Sequence, residues 1–180
     1  MKITVDHQIS CYTYEMIAFG HTAVGSLVGL AGYNYFGHSE PLLGLALTSG
    51  TAIASHYLTD FIPHGHLIRF KDLKRLAKWA ALFDFGLSSL IFFGLSYLSF
   101  GLSLKLVYLA CGILASNLPG ILDGLIYTNV LPAKGFLGFE HKLHELMHWH
   151  GLKDKALVWG QKDLWQIGVV IISLVVLIRS

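Results

Sequence analysis

Along the chain, long apolar runs with few charges alternate with polar connections, and the run lengths decide what they form. The first run extends from about Tyr14 to Phe36 and carries no charge after Glu15 apart from any on His21. A polar turn at His38 to Pro41 leads to a second run, Leu42 to about Ile62. The third, Trp79 to Phe100, holds the single charge Asp84, and the fourth runs from Leu104 to about Leu122. A polar stretch, Asp123 to Asp163, separates these from a last apolar run, Leu164 to Ile178. An apolar helix needs about 20 residues to cross the hydrocarbon of a bilayer. The expected fold is therefore all-α: a polytopic membrane helical bundle of about five transmembrane helices, plus one cytoplasmic helix carrying histidines in the polar stretch. With no internal repeat or low-complexity linker, residues 1–180 are expected to form a single domain.

Composition agrees. Of 180 residues, 54% are hydrophobic and only 13% charged, with a mean hydropathy of +0.58. A soluble domain carries about a quarter charged residues, so this chain has too few to cover a globule in water. The formal net charge of +2 is too small to point to nucleic acid. Cys11 and Cys111 make no disulfide framework, and no cleavable leader pattern follows Met1 to Gln8. Lys and Arg concentrate in the connection after the second run (Arg69, Lys71, Lys74, Arg75, Lys78) and in the stretch after the fourth. Both therefore belong on the cytoplasmic side of the inner membrane, with the N-terminus.

The candidate chemistry clusters on that same side. His56 and Asp60 are four residues apart, one above the other on a helix face. Pro63 disfavours helix at Ile62, which leaves His64 in the turn beyond, next to Gly65. His21 lies near the cytoplasmic start of the first run and Asp84 near that of the third. Asn117 and Asp123 close the fourth. In the helix expected at Glu140 to His150, His141, His144 and His148 fall at i, i+3 and i+7, within one stripe at about 100° per residue. His150 falls about 180° from His141 and is left out, and His7, His38 and His66 read as surface residues. Neutral imidazoles suit a divalent transition metal, zinc first, with manganese or iron as alternatives. The metal ligands expected are His21, His56, Asp60, His64, His141, His144 and His148, with Asp84 and Asp123 as catalytic acid–base groups or further ligands. Plainer readings stand beside these: His21 as an interfacial residue, Asp84 as the partner of Arg69 or Lys78, and the late stripe as a solvated face.

These residues carry a resemblance. Gly20-His21-Thr22-Ala23, then Ser55-His56-Tyr57-Leu58-Thr59-Asp60 followed by Pro63, then Leu118-Pro119-Gly120-Ile121-Leu122-Asp123, are similar to motifs of the YdjM-like family, the LexA-regulated membrane-bound metal-dependent hydrolases. That resemblance implies a divalent-metal hydrolase at the membrane surface, with His21, His56, Asp60, Asp123 and the late histidines as ligands. Two positions depart from the family pattern: Gly120 stands where an acidic residue is expected, and Asp123 is displaced by one residue. Phosphatidic acid phosphatases share a His-x-x-x-Asp motif but place an Arg six residues before the His, where this chain has Gly50. Without the cations that hold a phosphate, that family is excluded.

The function expected is hydrolysis of an amphiphilic substrate, a phospholipid or lipid phosphate ester, with membrane lipids as partners and Arg69, Lys71 and Lys74 attracting an anionic headgroup. Its main rival is a non-enzymatic metal-binding or metal-transporting protein. The apolar outer halves of the runs count against an ion pathway. Haem held between His21 and His56 is a third reading.

Overall fold

The computed structural model describes residues 18–61, 74–127, 129–150 and 164–180, with backbone alone at 74–82, 127, 145 and 148–150. These residues form six helices and no strand, as the apolar pattern predicts: α1 (Ala18–Phe36), α2 (Pro41–Phe61), α3 (Lys74–Phe100), α4 (Leu104–Tyr127), α5 (Gly135–His150) and α6 (Leu164–Arg179). Local chemistry sets several of the boundaries. Pro41 opens α2 at the first helical position, where its missing N–H costs nothing. Gly101, at φ +60°, donates its amide to Tyr97 O at 2.8 Å and ends α3 in the left-handed conformation that glycine adopts without strain. Two residues on, the Ser103 hydroxyl accepts the Leu106 amide at 3.4 Å as the N-cap of α4.

α4 is the hub, packed most extensively on α1 and also on α2, α3 and α5, while α6 lies against α1 and α3. The α1–α4 contact is backbone to backbone. A side chain on Gly112 would strike the carbonyl of Gly25, and one on Gly29 would strike the backbone of Tyr108 and Leu109. Such close approach is how small residues bring helices together where no water drives association. An apolar core of Ala23, Leu30, Phe92, Leu109, Ile113 and Leu177 closes the middle.

The interior is otherwise unusually polar. Thr22, Ser26, Ser88, Ser96, Ser116, Asn117, His56, Asp60, Glu140 and His144 are all buried, whereas Leu42, Phe83, Leu90 and Leu98 are at least 70% exposed. Among the described residues, Phe83–Phe100 in α3 and Leu104–Ile126 in α4 are, by length and composition, able to cross a membrane, and α6 is a shorter apolar helix. Of the five expected spans, these two meet that criterion.

Candidate metal centre

The site forms at one end of the bundle, where α1 begins and where α2 and α4 finish. The first turn of α1 is pinned there from three directions. Asp84 Oδ2 accepts the Ala18 amide at 2.6 Å, Ser116 Oγ donates to His21 O at 2.9 Å, and Asn117 Nδ2 donates to Thr22 Oγ1 at 3.1 Å. His21 is thereby aimed inward, toward the last turn of α2.

Asp60 stands at the middle. Its Oδ1 lies 3.2 Å from His21 Nε2, and its Oδ2 lies 3.1 Å from His56 Nε2 and 3.5 Å from His144 Nε2. Three helices therefore direct an imidazole nitrogen at one carboxylate, and all four side chains are nearly solvent-free. What lies behind each ring fixes which nitrogen carries hydrogen. His56 Nδ1 faces the Ser116 carbonyl at 2.7 Å, and a carbonyl can only accept, so Nδ1 is the donor. Thr59 spends its one hydroxyl hydrogen on the Ser55 and His56 carbonyls at 2.9 and 2.8 Å, so its oxygen accepts from His21 Nδ1 at 3.2 Å. Glu140 Oε1 stands 3.6 Å behind His144 Nδ1, an electrostatic contact too long for a hydrogen bond. Backing Nδ1 with an acceptor and turning Nε2 inward is how proteins orient metal-binding histidines.

The donor set fits an ion. His21, His56 and Asp60 each place a ligand atom within 4.8 Å of the others. His144, whose Nε2 lies 3.5 Å from Asp60 Oδ2, stands beside this trio. His56 Nε2, fully buried, lies 3.1 Å from Asp60 Oδ2, where either a proton or a metal ion can take its lone pair.

The other expected residues divide. His141, one turn before His144, pairs its Nδ1 with Asp123 Oδ1. That pair is 21–24% exposed, against 1–6% for the residues around Asp60, so it lies toward the open side of the cluster. The late stripe thus serves two places, with His144 at Asp60 and His141 at Asp123. His148 lies in α5 with its side chain outside the described atoms, and His64, Arg69 and Lys71 lie outside the described residues. Asp84 is engaged with the start of α1, and the two other partners expected for it, Arg69 and the Lys78 side chain, lie outside the described atoms. Gly120 faces the centre: a Cβ there would stand 3.3 Å from His56 Cε1 and 3.9 Å from Nε2.

Behind these residues lies an outer layer that the expected ligand set does not include. Glu140 is only 4% exposed and accepts the Tyr57 hydroxyl at 3.3 Å. Its signal was its place four residues before His144, the spacing that also relates His56 to Asp60. Nothing in the sequence marks Tyr57, Thr59 or the Ser116 carbonyl. No protein-family model, curated protein or solved structure matches the chain.

Proposed function

We propose that the chain is a multi-pass membrane protein in which His21, His56, Asp60 and His144 bind a divalent transition metal, zinc before manganese or iron, for hydrolysis of a lipid or lipid phosphate ester. The proposal includes membership of the YdjM-like hydrolases, on the motifs containing His21, His56, Asp60 and Asp123, and a cytoplasmic site. One observation carries it: three Nε2 atoms from three helices turned onto Asp60. The membrane reading rests on the inverted burial, with hydroxyls and imidazoles inside and large aliphatic side chains outside.

A bound ion supplies Lewis acidity and lowers the pKa of water, which is the chemistry hydrolysis needs. The chain's own part is to hold and orient. Ser116 and Thr59 lock two imidazoles in the metal-binding tautomer, Gly120 leaves the edge of His56 uncovered, and the Asp123–His141 pair stands ready to take a proton.

Elemental analysis by ICP-MS of tag-free, detergent-purified protein beside His56→Ala tests the binding step. About one equivalent of metal per chain, lost in the variant, is expected; equal content in both would refute it. Near-complete burial of the four ligands favours a second reading, a metal-binding membrane protein without turnover. Metal-dependent cleavage of lipid phosphoesters by the wild type, absent from Asp60→Ala, separates the two.

A further inference from the structure

Glu140 stands behind His144, on the Nδ1 side of a ring whose Nε2 lies toward Asp60. It lies 4% exposed on α5, with Oε1 3.6 Å from His144 Nδ1 and 3.3 Å from the Tyr57 hydroxyl of α2. Its second oxygen, Oε2, is buried and makes no hydrogen bond among the described residues. A carboxylate sunk this deep is expensive unless positive charge lies close. The described partner of Glu140 that can carry positive charge is the His144 imidazole, whose Nε2 lies toward Asp60.

We infer that Glu140 is a positioning residue of the metal centre: its carboxylate faces His144 Nδ1 at 3.6 Å while Tyr57 donates to it, and it draws up to that nitrogen as α5 presents His144 Nε2 to the ion. This rests on the metal reading above and extends it to two residues outside the ligand set. The chemistry is that of a carboxylate–histidine–metal triad. The carboxylate keeps the hydrogen on Nδ1, fixes the ring and makes Nε2 a stronger donor.

The test is a titration of the full-length protein in detergent with Co(II), followed by its visible ligand-field absorption. Glu140→Gln, which keeps shape and removes charge, should weaken Co(II) binding about 10–100-fold. The decisive arm is the same substitution in a His144→Ala background. If Glu140 acts through His144, it should there change affinity less than about twofold, since contacting residues are non-additive. Wild-type affinity in Glu140→Gln, or an undiminished loss in the His144→Ala background, would overturn the inference. Should Glu140→Gln not fold, Tyr57→Phe takes its place. It should weaken binding at least about threefold, a fraction of the full effect, and unchanged affinity overturns the role given to the Tyr57–Glu140 contact. Failure of the wild type to bind Co(II) at all would strike the metal reading itself, a separate result.

Discussion

The imidazole rings of His21 and His56 stack with centroids 3.9 Å apart and planes 25° from parallel. Two protonated rings at that separation would repel by about 4 kcal/mol at an effective dielectric near 20. Asp60 offers one negative charge, and each ring already donates through Nδ1. With both rings neutral, two lone pairs face a carboxylate, which is also repulsive. One proton on either ring gives an imidazolium–carboxylate pair with Asp60; a metal ion among the two Nε2 atoms and the carboxylate relieves the same conflicts, and the stacking then becomes that of two ligands on one ion.

Removing any of the inner ligands should therefore empty the site. His21→Ala, His56→Ala and Asp60→Ala are expected to lose bound metal while the protein still inserts in membranes. Loss of one ligand in such a centre costs more than the 10–100-fold typical of a residue in the layer behind it. ICP-MS on membrane-extracted protein measures it, and full occupancy in Asp60→Ala would be incompatible with the centre described.

Gly120 gives a test of opposite sign. Alanine there places a methyl 3.3 Å from His56 Cε1, tighter than ordinary contact, and His56 is held by Ser116 at 2.7 Å with little room to yield. Metal affinity should fall several-fold, on the scale of a disturbed supporting contact. Aspartate carries the same Cβ but adds a carboxylate beside Nε2, so it should lose metal to a chelator more slowly than Gly120→Ala while suppressing hydrolysis. Metal loss from Gly120→Asp as fast as from Gly120→Ala would show that this face of α4 does not open on the ion.

Asp84 and Asp123 should separate cleanly. Asp84→Ala removes the acceptor of the Ala18 amide and should cost about 1 kcal/mol of stability, as lost helix caps do, with metal bound more weakly but not lost, since Ser116 and Asn117 still hold the start of α1. Asp123→Asn and His141→Ala should keep metal and stability but lower hydrolysis by about 10²-fold or more, the scale of a lost general base. Thermal melts, ICP-MS and initial rates on the same preparations decide it.

The α1–α4 contact should tolerate no side chain. Gly112→Ala drives a methyl into the Gly25 carbonyl and the Gly29 backbone, where neither can rotate away. A loss of about 1–3 kcal/mol or more is expected, read as a lower melting temperature in detergent. Gly50→Ala, where a Cβ meets nothing within 4 Å, is the control and should be neutral or slightly stabilising.

Metal removal should loosen α5 first. Its described polar anchors are Tyr57–Glu140, His144–Asp60 and His141–Asp123, and two of these three involve the ion's ligands or their supports. After chelation, amide exchange should rise in α5 while Leu104–Tyr127 stays protected. Equal exchange with and without metal would disconnect α5 from the centre.

The sequence by itself determined whatever depends on periodicity and run length. The apolar runs ended within a few residues of α1, α2 and α6 as observed, and the His56–Asp60 spacing put both on one face of α2. The gathering of His21, Asp60, Asp123 and the late histidines at one end also followed, because antiparallel neighbours joined by short turns bring alternate ends together. Helical spacing fixes angles within one helix only; how far one helix is turned against the next is set by packing. That rotation, decided where Gly25 and Gly29 meet Gly112 and where Asp84, Ser116 and Asn117 grip the first turn of α1, gave His144 to Asp60 and His141 to Asp123. It also brought Glu140 and Tyr57 together and aimed the Ser116 carbonyl at His56. A backbone carbonyl has no signature in the sequence, so only the tertiary structure could say which nitrogen of His56 is left for a metal.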